Sequence, residues 1–214
     1  MQTVNDFAPK NKLIIFKTMN EIKTRTDILN FLIEKNNYKT YLEVGAQFCV
    51  NFNGIKINKK IGVDPNGDFK DILKLTSDKF FELNNQKFDI IFIDGLHESS
   101  QVKKDIENSL LILNEKGIIV LHDCNPTTKE IQEVPCKTRE WTGDVWKAFV
   151  YYRQYEYLNM FVINTDWGCG IIMKGYQEPI KVKIEHLTWE YFCQNKNLWL
   201  NLKPVEYLKE RFNK

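Results

Sequence analysis

The chain has 214 residues, 43% of them hydrophobic, and a net charge of +2. It is long enough for one domain with a real core. The small charge, with Lys and Asn scattered rather than striped, gives no bulk reason to expect a nucleic acid or an acidic membrane surface as partner. Five cysteines with no C-x-x-C, no apolar run near the ~18 residues of a bilayer span, and no basic-then-apolar start argue against a zinc site, a disulfide framework, a membrane span and a signal peptide, and fit a cytoplasmic protein.

Residues 1–20 read as an irregular arm with a short apolar run at Leu13-Ile-Ile-Phe16. Thr26 or Asp27 is placed to cap a helix through about Asn36, with Ile28, Leu29, Leu32 and Ile33 on one face. A strand follows at Thr40–Val44, then an ambiguous stretch at Gly45–Asn58 and a second strand at Lys60–Asp64. A weaker third strand, Asp71–Leu75, leads to Thr76-Ser77-Asp78, a cap for a short helix through Leu83. Asp89–Asp94 reads as strand four. Ser99 or Ser100 opens a helix to about Leu113, ended by Asn114-Glu-Lys-Gly117, and Ile118–His122 is strand five. About twenty residues without periodicity, Cys124–Gly143, suggest a lid or binding loop. Asp144 then caps a helix over Val145–Tyr155. Leu158–Asn164 and Cys169–Lys174 form an antiparallel hairpin around Thr165-Asp-Trp-Gly168. Residues 186–214 hold one or two amphipathic helices whose aromatics suit the core or a homodimer face. Alternating strands and helices point to a doubly wound, mostly parallel α/β sheet in one domain. Its parts are an arm and helix (1–38), a Rossmann-like core (39–175) and a helical extension (176–214).

Four apolar runs end on or near a carboxylate: at Glu43, Asp64, Asp94 and Asp123. In open α/β sheets ligands bind outside the carboxyl ends of the strands, so these groups converge on one crevice. Gly45 permits a tight turn after the first strand. Asp64, nineteen residues on, suits a ribose diol, or is a plain surface Asp beside a βα turn. Ser77 and Asp78 either cap a helix or face a base. Asp94-Gly95-Leu-His97 and His122-Asp123 either cap turns or supply a metal site or a proton acceptor. Trp141, Asp144 and Trp146 either wall an acceptor pocket or serve as core and cap. Asp166-Trp167-Gly168-Cys169-Gly170 reads as turn structure.

Together these segments, with Gly62-Val-Asp64-Pro65, Leu121-His122-Asp123-Cys124-Asn125-Pro126 and Gly143-Asp144-Val-Trp146-Lys147, resemble the class I S-adenosylmethionine-dependent methyltransferases. They resemble most the small bacterial and phage methyltransferase-domain group, the family 24-like proteins. The resemblance implies a seven-stranded sheet ending in the hairpin, with S-adenosylmethionine as cofactor. It places the methionine portion against Glu43 and Gly45, the ribose at Asp64 beside Pro65, adenine near Ser77 and Asp78, and the sulfonium by Asp94 and Gly95. The family's turn reads E-x-G-x-x-x-G followed by a small hydroxyl residue; here Cys49 and Asn51 stand in those two places.

The implied reaction is methyl transfer to a hydroxyl of a small molecule, such as a sugar or glycoconjugate precursor. His97 or His122 is the first choice of base, and Asp94 or Asp123 the second. Some related families hold Mg²⁺ at these strand ends, which makes Asp94 and Asp123 metal candidates. Two other readings compete. One is a non-catalytic nucleotide- or partner-binding protein with its crevice blocked by Phe48 or the 124–143 loop. The other is a metal-dependent oxygenase using residues 94, 97, 122 and 123. A nucleic-acid substrate is disfavoured by the lack of a basic patch and of an N/D-P-P-Y motif.

Overall fold

Strands buried on both faces need apolar residues at every position, which is why the runs at 40–44, 88–93 and 117–121 are nearly continuous rather than alternating. In the computed structural model, which describes residues 21–213, these runs are the centre of one sheet. The expected arm at 1–20 lies outside the described residues. In chain order the elements are α1 (Arg25–Asn36), β1 (Thr40–Val44), α2 (Val50–Gly54), β2 (Lys59–Val63), β3 (Ile72–Leu73), α3 (Ser77–Leu83), β4 (Phe88–Ile93), α4 (Ser99–Ile112) and β5 (Leu113–Leu121). Then come α5 (Val145–Tyr152), β6 (Leu158–Ile163), β7 (Cys169–Lys174), α6 (Trp189–Trp199) and α7 (Val205–Phe212).

The seven strands lie in the order β3-β2-β1-β4-β5-β7-β6. The first five are parallel, and β7 runs antiparallel between β5 and β6. The seven-stranded, mostly parallel sheet with a terminal hairpin is the one expected. Neighbouring residues on a strand serve opposite cores. Leu42, Val44, Ile91 and Ile93 pack with residues of α4, α5 and α6, whereas Tyr41, Ile90 and Phe92 pack with residues of α1, α2 and α7.

Three local differences have plain causes. Helix α1 is capped by Thr24, not by Thr26 or Asp27; Asp27 instead completes a capping box by accepting from the Thr24 backbone. Strand β5 starts at Leu113 rather than Ile118, because Leu113 already pairs with Phe88 across an irregularity in the ladder. The ambiguous 45–58 stretch contains only the single-turn helix α2. The cysteines are all free, and no helix among the described residues is long and apolar enough to cross a membrane.

Candidate active site

The five parallel strands end along one edge of the sheet. Since β6 is antiparallel to β7 and β7 to β5, β6 also ends there, and the β6–β7 turn joins the same edge. A cavity of about 650 Å³ opens among these ends, within the size range of small-molecule sites.

On the β1–β2 side the cavity is built from backbone. Gly45 has φ +90°, and a Cβ there would fall 2.0 Å from the Asp94 carbonyl oxygen, so only glycine lets β1 turn this close to β4. The backbone N–H groups of Gln47 and Asn66 donate to the two oxygens of Asp64, at 3.0 and 2.8 Å. That fixes the carboxylate at the cavity wall and leaves each oxygen a lone pair for a diol. Cys49, where the family has glycine, keeps a glycine-like left-handed conformation at φ 60°. The Asn51 amide is fully engaged. It donates to Glu43 at 2.9 Å and to the Tyr41 hydroxyl at 3.1 Å, and its oxygen accepts from Thr26 at 2.7 Å. Tyr41 also donates to Glu43. Burial pushes the Glu43 carboxyl up to about 7, against the opposing effect of these hydrogen bonds.

On the β4–β5 side the site is a charge network. The His97 Nδ1–H donates to the Trp141 carbonyl at 2.9 Å and lies 3.2 Å from Asp123; Nε2 lies 3.3 Å from Asp94. His122 Nδ1 is 3.3 Å from Asp94 and 3.2 Å from Asp123, and its Nε2 is 3.5 Å from Asp166. Burial opposes charge on both rings, yet Asp94, Asp123 and Asp166 raise His122 well above the usual histidine value, and Asp94 and Asp123 raise His97. Burial likewise pushes Asp94 up, but the two imidazoles outweigh it and hold the carboxyl well below the usual range. Asp94, His97 and Asp123 offer ligand atoms all within 4.8 Å of one another, a donor set able to hold a metal ion.

Residues 37–124 match the family model described as a methyltransferase domain. No curated protein matches the sequence. Among solved structures, the chain resembles a candidate caffeoyl-CoA O-methyltransferase from Staphylococcus aureus at 19% identity and TM-score 0.57, covering 72% of this chain and 86% of that one. It also resembles an SAH-bound methyltransferase from Podospora anserina, at 13% identity and TM-score 0.52, covering 72% and 78%. A third is the O-methyltransferase TomG from Streptomyces achromogenes in complex with SAM, at 9% identity and TM-score 0.52, covering 70% and 79%.

The fold is that of a class I methyltransferase domain.

On this fold Gly45, Asp64, Pro65, Asp94, Gly95, His97, His122, Asp123 and Trp141 all reach the cavity, but five other expected residues do not line it. Glu43 is buried against Tyr41 and Asn51. Ser77 and Asp78 stand aside, both accepting from the Gln101 amide. Asp144 and Trp146 require correction as acceptor-pocket residues. Asp144 accepts from the Ser99 backbone at 2.6 Å and hydroxyl at 3.1 Å, so it holds the start of α4 rather than capping its own helix. Trp146 is fully buried, stacks on Trp199 and donates to Gln132, because the apolar face of α5 packs inward.

The 124–143 loop is a bonded structure containing a 3-10 turn (Glu130–Gln132); Thr142 and Gly143 both donate to the Ile131 carbonyl. It brings Trp141 onto the His97 ring, 5.3 Å between centroids. Phe48 is 69% exposed and does not line the cavity, so it does not block the crevice, while loop residues 139–142 form part of the wall.

Sequence reasoning missed Arg25, Asp166 and the loop residues Arg139 and Glu140. Arg25 and Asp166 meet across 141 residues: the Arg25 backbone N–H donates to Asp166 at 2.7 Å. The available signal was topological, since a hairpin with β7 antiparallel to β5 returns its turn to the strand-end edge.

Proposed function

We propose that the protein transfers the methyl group of S-adenosylmethionine to a hydroxyl of a small molecule. The observation that carries this reading is the division of one cavity. A glycine turn and a fixed diol-binding carboxylate lie on one side, and a cavity-lining imidazole held by two carboxylates on the other. The cofactor's parts suit this wall: Asp64 offers lone pairs to ribose hydroxyls, and the close approach at Gly45 leaves room for the methionine chain. When bound, the cofactor supplies an electrophilic methyl on sulfur.

The chain's own work is positioning and proton removal. Orientation alone supplies several kcal/mol, and a placed base about 10²–10⁴-fold in rate. His97 is the better base: it lines the cavity with Nδ1–H fixed by the Trp141 carbonyl, which leaves Nε2 to take the acceptor proton beside Asp94. His122, 3% exposed and flanked by three carboxylates, is the better electrostatic support. Trp141 and Trp167 line the acceptor space, a small-molecule enclosure; the five free thiols fit a cytoplasmic setting.

Calorimetry with S-adenosylhomocysteine tests the cofactor half. Binding that weakens at least tenfold in Asp64→Ala is expected. No binding at millimolar ligand, or no difference in the variant, sinks the reading.

The Asp94–His97–Asp123 cluster favours a second reading in which a divalent ion orients the hydroxyl. Its imidazole suits Mn²⁺, Fe²⁺ or Zn²⁺ better than the Mg²⁺ first expected, which prefers all-oxygen sites. Tight Mn²⁺ binding lost in His97→Ala would support it; activity unchanged after chelation would remove it.

A further inference from the structure

We propose that Arg25 is the receptor for the carboxylate of the cofactor's methionine portion. The proposal rests on the S-adenosylmethionine reading and assigns it a residue outside the segment that matches the family model.

A cofactor carrying an amino group and a carboxylate at one end needs a cation there. The turn after β1 does not supply one. Helix α2 spans only Val50–Gly54, too short to develop a useful dipole. Cys49 makes no side-chain cap bond, and every polar atom of the Asn51 amide group already has a partner in Glu43, Tyr41 or Thr26. The receptor must come from elsewhere on the cavity wall.

Arg25 lines the same cavity as Gly45 and Asp94. Its ion pairs there are loose, 3.7 Å to Asp94 and 4.0 Å to Asp166, too long for formed hydrogen bonds. Nη1 lies within hydrogen-bond distance of both His122 ring nitrogens, at 2.9 and 2.7 Å, whereas Nη2 makes no hydrogen bond among the described residues. A guanidinium with unspent donors is the group best shaped to grip a carboxylate through two parallel bonds.

Its placement is firm. The Thr24–Asp27 capping box fixes the first turn of α1, the Arg25 backbone N–H is bound by Asp166, and the Thr165 hydroxyl donates to the Lys23 carbonyl at 2.7 Å. The opposite charges of the zwitterion then find complements: Asp94 for the amino group and Arg25 for the carboxylate. Arg139, the other arginine on the cavity, stands exposed on the 124–143 loop beside Trp141, on the acceptor side.

The test is a comparison of two ligands by calorimetry: S-adenosylhomocysteine and its decarboxylated analogue, S-adenosyl-3-thiopropylamine, which lacks only the carboxylate. Wild type is expected to prefer the former roughly 10- to 100-fold, as befits a charge-assisted contact. Arg25→Gln should weaken S-adenosylhomocysteine by about that factor, leave the analogue within threefold, and so abolish the preference; Arg25→Lys should restore part of it. Equal weakening of both ligands, or a preference that vanishes in Arg139→Gln and survives in Arg25→Gln, overturns the proposal. The wild-type measurement stands without any variant: a preference under threefold also overturns it. Failure of wild type to bind either ligand defeats the cofactor reading itself, a distinguishable result.

Discussion

Glu43 occupies a place that its own charge opposes. Folded, it keeps its proton to about pH 7; unfolded, only to about the ordinary glutamate value of 4.5. It therefore withdraws stability as pH rises from 4.5 to 7, by roughly 3–4 kcal/mol at 1.36 kcal/mol per unit. Glu43→Gln keeps an acceptor for Tyr41 and Asn51 and removes the charge. It should raise stability to urea at pH 8 and leave it unchanged at pH 4; a gain at both pH values would contradict the burial account. Two tryptophans five residues apart separate just as sharply. Trp146→Ala empties a fully buried site and should cost about 3–5 kcal/mol. Trp141→Ala removes a cavity wall stacked on His97, and should raise the acceptor KM while S-adenosylhomocysteine affinity stays within threefold. Nothing in the sequence around them tells the two rings apart. Residue type shows that an aromatic is wanted, but Trp146 turns inward with the apolar face of α5 while Trp141 sits on the loop before that helix and faces the cavity.

The β6–β7 turn is the element that ties the site to the start of the described chain. Asp166 raises His122 and is itself lowered by it, against the effect of burial on each. Stability from the raised histidine is full below its unfolded value of 6.5 and fades as pH rises through the higher native value; that from Asp166 is present above 3.8. Asp166→Asn preserves an acceptor for the Arg25 backbone and removes the charge. A loss of about 1–2 kcal/mol near pH 5–6, shrinking in alkaline solution, is expected from urea midpoints taken across a pH series. A loss constant with pH would mean that the turn matters only as a backbone clamp.

At the scale of the whole molecule, the sheet was legible because parallel strands carry an unmistakable apolar signal and their tips carry the polar residues. The carboxyl ends of β1, β4 and β5 could be placed to within one residue, whereas the start of β5 could not. The partnership of Arg25 and Asp166 could not, because each looks locally like a cap or a turn. The helical extension likewise read as an appendage. In the folded protein Phe192, Trp199 and Leu200 complete the core against Trp146, and Leu208 packs into the opposite one. Truncation after residue 175 should therefore abolish near-ultraviolet circular dichroism rather than yield a trimmed, native-like domain. A sharp thermal transition in the truncated chain would show the extension to be dispensable.

The clasp between Arg25 and Asp166 also sets an order of events. Contacts so distant along the chain form late, after local helices and hairpins have repaid their own entropy. A nascent chain still lacking β6 and β7 has neither Trp167 on the cavity wall nor the Asp166 anchor that holds Arg25 in place, however complete its first five strands. Ligand capture thus reports the closing of the last gap in assembly, and during refolding it should trail the recovery of tryptophan fluorescence.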